Sequence, residues 1–171
     1  MTMTPGQRRF ALTMHVVSSV GWFGAVAVFL ALSIAGLTSH DSQMVRAEYL
    51  VMELIAWFVI VPLCVASVLT GIVSSVGTPL GLFRHYWVLI KLLLIIPSTI
   101  VLFVHMGPIS LVSHVAAERA LSTADLGLQI QMVAAAGAAL LVLLVVTALS
   151  VYKPRGLTQY GWRKQRGSTR A

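Results

Sequence analysis

The sequence predicts an all-α fold, a bundle of four transmembrane helices with both ends in the cytoplasm and with kinks in the second and third helices. Three observations carry this. Of the 171 residues, 58% are hydrophobic and only 10% charged, where soluble domains run at about 45–50% apolar and about 25% charged. Four apolar stretches each reach the roughly 20 residues needed to cross a hydrocarbon core about 30 Å thick. Lysine and arginine are also held to one side of those stretches, the signature of cytoplasmic loops.

The first stretch, residues 10 to 37, follows Arg8 and Arg9 as the core of a secretory leader would. Its length far exceeds the roughly 7–15 apolar residues of a leader, which makes it a retained span. Residues 50 to 75, 83 to 106 and 126 to 151 supply the other three. Uninterrupted apolar runs of this length must bond their backbone internally, so they are helices; membrane strands would give alternating segments of about ten residues.

The polar patch from Thr38 to Glu48 separates the first two spans, and Gly77-Thr78-Pro79 supplies the turn between the second and third. The third linker is longer and leaves room for a short surface helix over Ser110 to Leu121. Ser122 and Asp125 then stand at capping-box spacing just before the fourth span. Residues 1–152 form a single membrane domain, and residues 153–171 a basic tail.

With the N-terminus inside, Arg8, Arg9, Arg84, Lys91 and the six basic residues of the tail lie on the cytoplasmic side, leaving only Arg46 and Arg119 outside. All five acids, Asp41, Glu48, Glu53, Glu118 and Asp125, fall on the outer side. The net charge of +7 therefore points to anionic lipid rather than nucleic acid, because the basic residues flank apolar spans and form no aromatic-interleaved stripe. Tyr86 and Trp87 read as an interfacial anchor at the inner end of the third span. Protein partners and a homo-oligomer stay open.

Lipid gives helices no hydrophobic drive to associate, so small residues at four-residue spacing are the expected contact points. These are Gly21 with Ala25, the row Ser67, Gly71 and Ser75, and Ala134 with Ala138. Pro62 and Pro97 each remove a backbone donor inside a span, and Ser98 and Thr99 stand ready to satisfy freed carbonyls. The single cysteine, Cys64, reads as a packing residue and excludes a disulfide within the chain.

Polar side chains at membrane depth are costly and rank as candidates by default. Glu53, Lys91, Ser98 and Trp22 belong to that set, and Lys91, Ser98 and His105 recur every seven residues on one helix face. The outer side gathers His40, His105, Met106, His114 and Glu118, a mixture of imidazole, thioether and carboxylate that suits a copper-like metal. On the inner side His15 and His85 sit at similar depth on different helices, as a pair holding a b-type haem would. The alternative for His15 is a bond to Ser18 or Ser19. No glycine-rich phosphate loop, HExxH or GxSxG is present, so the sequence supports no enzymatic activity.

Two stretches, His15-Val16-Val17-Ser18-Ser19-Val20-Gly21-Trp22-Phe23-Gly24-Ala25 and Gly81 through Ser110, resemble an uncharacterised family of small four-helix bacterial membrane proteins, a domain of unknown function. That resemblance covers most of residues 10 to 150 and implies a location in the bacterial plasma membrane, but no activity. The first stretch also resembles the opening helix of copper-resistance D-type membrane proteins, where a histidine precedes a Trp-x-Gly-Gly element by about two turns. Here His15 and Trp22 match, while Ala25 replaces the second glycine. The likeness implies a copper-binding or transport-associated module. A wider resemblance to b-type transmembrane cytochromes implies an electron-transfer subunit, although the fourth helix lacks a histidine. A ligand-free structural bundle that stabilises a partner is the third reading.

Overall fold

The structure is a computed structural model that describes residues 3–76 and 86–152. The Gly77-Thr78-Pro79 turn, Arg84, His85 and the basic tail lie outside the described residues. Helix α1 (Pro5–Thr38) starts with Pro5 in its first turn, and the Thr4 side chain and Gln7 cap each other across it. Helix α2 (Ser42–Ile55) runs through a π-helical turn (Ala56–Ile60) into α3 (Val61–Val76). Helix α4 (Tyr86–Glu118) follows, and a 3-10 turn (Thr123–Asp125) leads into α5 (Leu126–Tyr152). With α2 to α3 taken as one rod, four helices are long and apolar enough to cross a membrane.

Each helix packs against its two neighbours in an up-and-down ring, and paired residues fix the antiparallel register. His15 meets Ser67, Gly21 meets Leu63 and Gly36 meets Tyr49, so α1 runs against the α2 to α3 rod. The Cys64 thiol lies 3.6 Å from the Thr99 hydroxyl, which sets α4 against α3, and Lys91 bonds Ser150 at 3.1 Å, which sets α5 against α4. The small-residue positions act as predicted for α1 and α3. Gly21 admits the Leu63 side chain, and the hydroxyls of Ser19 and Ser67 meet at 2.7 Å.

The buried core is a column through the ring, built from Trp22, Val26, Phe29, Met52, Ala56, Ile60, Met106, Val112 and Met132 among others. The outside is as apolar as the inside: Phe58 is 75% exposed, Leu93 74% and Val104 68%. Apolar side chains all round a helix suit lipid and not water.

Three expectations change. The helix that carries the second apolar run begins at Ser42, ahead of residue 50, because Asp41 caps it, accepting from the backbone of Gln43 at 2.9 Å. No separate surface helix occupies residues 110 to 121; α4 continues through Pro108 to Glu118. The buried residues Ile109, Val112, Ser113 and Ala116 keep helical spacing there, so continued packing outweighs the proline. Ser98 and Thr99 donate to the carbonyls of Leu94 and Ile95. They do not reach the Leu93 carbonyl, which stands four residues before Pro97.

Pro62 has a visible effect. Its ring excludes the Phe58 carbonyl from the usual position, and the preceding turn widens so that the Val61 amide bonds the Ala56 carbonyl five residues back. Ala56 and Ile60, both buried, are the residues this turn presents to the core.

A candidate ligand cavity inside the bundle

A cavity of about 460 Å³ lies along the bundle axis, lined by α1, the π turn, α4 and α5. Trp22 and Phe29 provide aromatic surface, Ala56 and Ile60 the π-turn wall, and Val101, His105 and Ile109 the α4 wall. On α5, alanines at 134, 135, 136, 138 and 139 leave space where larger side chains would close it. The volume and the apolar lining both match ordinary small-molecule sites, which span about 300–1,000 Å³. No Lys, Arg, Asp or Glu side chain lines it among the described residues.

Val101, Gln131, Ala134 and Ala138 line the cavity and are also exposed on the outside of the bundle. The cavity therefore opens sideways between α4 and α5, about midway along both helices. In a membrane that opening faces lipid tails.

Polar groups at the cavity are few. Trp22 lends its ring to the wall but is only 4% exposed, and its indole Nε1 is buried away from the open space with no hydrogen-bond partner among the described residues. A buried donor left unpaired costs about 1–3 kcal/mol, so this one is a feature to be explained. His105 bonds through Nδ1 to the Val101 carbonyl at 2.9 Å. Ser98 turns its hydroxyl back to the Leu94 carbonyl at 2.7 Å, and Gln131 stands at the opening.

A second polar group lies nearer the end that carries Lys91. The His15 Nδ1 is 3.0 Å from the Ser67 carbonyl and 3.3 Å from the Thr70 hydroxyl. The partners expected for this ring, Ser18 and Ser19, are used otherwise: Ser18 donates to the Met14 and His15 carbonyls, and Ser19 meets Ser67. Lys91 bonds Ser150 and stands 4.5 Å from the centre of the Trp87 ring, a cation–π contact. His85 lies outside the described residues, so the facing imidazole of the haem reading is not placed.

The residues of the metal reading occupy different surroundings. His105 is half-buried at the cavity and Met106 lies in the core, while His114, Glu118 and His40 are exposed near the other end. Among the described residues, no group of three or more His, Cys, Asp or Glu stands close enough to hold a metal ion. Glu53 faces Ser110, Ser113 and His114 of α4.

Beside this end, Arg119 grips Asp125 with two bonds, Nη1 to Oδ2 at 2.7 Å and Nη2 to Oδ1 at 2.9 Å. The Ser122 amide and hydroxyl also donate to Asp125 Oδ2. These bonds, that of Arg119 above all, hold the Asp125 carboxyl well below the usual carboxylate range.

Sequence reasoning singled out Trp22, Ser98 and His105 but not the space they share. The signal for it was present in the alanine-rich run of α5 and in Pro62. The chain matches no family model, no curated protein and no solved structure.

Proposed function

We propose that this chain is a multi-pass membrane protein that binds a small lipophilic molecule in the cavity between α1, α4 and α5. Its ends lie on the cytoplasmic side of a bacterial plasma membrane, with the basic residues against anionic lipid. The observation that carries the reading is a cavity of about 460 Å³ walled by Trp22, Phe29 and the alanines of α5, whose mouth faces outward at mid-helix. A ligand arriving through the bilayer needs no aqueous route. The absence of Lys, Arg, Asp and Glu from the lining among the described residues favours a neutral molecule.

Native mass spectrometry of the purified protein tests this. Wild-type chain carries a small apolar adduct through detergent removal, and Ala138→Phe, which fills the mouth from an exposed position, loses it. Bare protein from both preparations, even after incubation with membrane lipid extract, contradicts the reading.

A further inference from the structure

Inside its mouth the cavity wall presents a hydrogen-bond acceptor and no donor. Ser98 donates its hydroxyl hydrogen to the Leu94 carbonyl at 2.7 Å. His105 does the same through Nδ1, which donates to the Val101 carbonyl at 2.9 Å, since a carbonyl can only accept. The neutral imidazole therefore keeps Nε2 as a bare acceptor, with no partner among the described residues. That atom retains accessible surface, unlike the buried Trp22 Nε1.

The direction of the ring follows from the helix that carries it. Val101 and Ile109 both line the cavity and lie about 40° to either side of His105 at 3.6 residues per turn, so the imidazole projects from the middle of the α4 wall. Its Nδ1 is tied back to the preceding turn, which leaves Nε2 on the edge of the ring away from the backbone.

The lining is also graded along the bundle. The bond from Lys91 to Ser150 sets α4 against α5, and outward from it His105 lies about 21 Å along α4 and Gln131 about 28 Å along α5. To within the reach of the lysine side chain these two polar residues share one depth, whereas Pro97, Val142 and Leu143 line the end nearer Lys91. A molecule that fits has a small polar head at the His105 level and a hydrocarbon body running towards Leu143.

The head must donate. A ketone, ester or ether oxygen would set lone pairs against the lone pair of Nε2. A carboxylate or phosphate would find no Lys or Arg in the lining among the described residues, and a sugar would leave most of its hydroxyls unbonded. We infer that the ligand is a neutral lipid alcohol, whose single hydroxyl donates to His105 Nε2 and whose hydrocarbon lies along the alanines of α5. The inference rests on the lipophile-binding reading above.

The test uses full-length protein in lipid nanodiscs, with uptake by empty nanodiscs subtracted. It compares dodecanol with methyl undecyl ether, an isomer whose oxygen only accepts. Wild type binds dodecanol saturably at one per chain and the ether about three- to tenfold more weakly, the size of one net hydrogen bond. His105→Leu, which gives up no bond to another helix, weakens dodecanol to the level of the ether. Ala138→Phe abolishes saturable binding of both. A second readout stands apart from affinity: with isotope-labelled histidine nitrogens, the Nε2 resonance that is missing from His105→Leu moves upfield when dodecanol is added and stays in place with the ether.

Equal binding of the two isomers, lost in Ala138→Phe, overturns the alcohol assignment and leaves the lipophile-binding reading in place. Dodecanol affinity unchanged in His105→Leu overturns the assignment as well, and so does an Nε2 resonance that dodecanol does not move. Unchanged binding in Ala138→Phe puts the alcohol elsewhere and overturns it. Binding of neither isomer overturns the assignment, and together with no retained adduct it overturns both readings.

Discussion

The imidazole of His15 occupies the room that a side chain at Gly71 would need. Its Cε1 stands 3.0 Å from the position of an ideal Cβ on Gly71, and its Nδ1 is bonded to the Ser67 carbonyl one turn earlier. The contact joins α1 to α3, and it uses a glycine because only a bare backbone lets the ring approach so closely.

Gly71→Ala therefore displaces a hydrogen-bonded ring and destabilises the bundle by about 1–3 kcal/mol. In a His15→Ala background the three nearest atoms an added Cβ would meet are gone, and the same change gains helix propensity, about 1 kcal/mol in the opposite direction. A double-mutant cycle of thermal unfolding in detergent checks the reversal of sign. The Gly21 site provides a contrast, since the end of the flexible Leu63 side chain is what an added Cβ would meet, at 3.2 Å. Gly21→Ala shifts the unfolding midpoint by less than Gly71→Ala does.

Asp125 and Arg119 predict a pH dependence. The folded carboxyl has its pKa lowered by the guanidinium and by Ser122, so its contribution is complete above the unfolded value, near 4. It fades as the pH falls through the lower folded value. Asp125→Asn unfolds at a lower temperature than wild type at pH 7, and the two curves converge at progressively acid pH. Parallel curves down to the most acid pH reached would show that the pair contributes nothing through ionisation.

The bias of lysine and arginine predicts where the ends lie. A cytoplasm-active reporter joined at either end of the chain gives signal, and a reporter inserted in the Ser39–Asp41 turn gives none. Opposite behaviour of the two ends would break the four-span scheme, because an even number of crossings returns the chain to the side it left.

The lengths of the apolar runs were enough to find four membrane-length helices, since nothing else satisfies about 20 lipid-facing residues in a row. Ser122 and Asp125 also read correctly, because capping is local: their bonds close over three residues. The start of α2 did not read correctly. Thr38 to Glu48 looks like a linker by polarity, yet Asp41 caps a helix there, and Glu48 and Tyr49 are buried against Gly36. The extension of α4 to Glu118 was hidden by Pro108 for the same reason, that tertiary packing outweighs local signals.

The site was legible residue by residue and not as a place. Seven-residue spacing puts Ser98 and His105 on one face of α4, and both line the cavity, whereas Lys91 on that face reaches Ser150 on α5. What spacing cannot give is the unpaired state of the Trp22 N–H among the described residues, which depends on how the neighbouring helices pack around it. The partner of His15 was equally beyond reach, because Ser67 and Thr70 lie more than fifty residues away in sequence.

The central claim is that hydrocarbon surrounds these helices at mid-span and reaches the cavity mouth. It is tested most directly by a nitroxide label on Ala138→Cys in a Cys64→Ala background, in liposomes, with relaxation measured against oxygen and against a water-soluble nickel chelate. The account predicts strong collision with oxygen and almost none with nickel at position 138, and the same at 101. Nickel collisions exceeding those of oxygen at both positions would contradict it, for the opening would then face water.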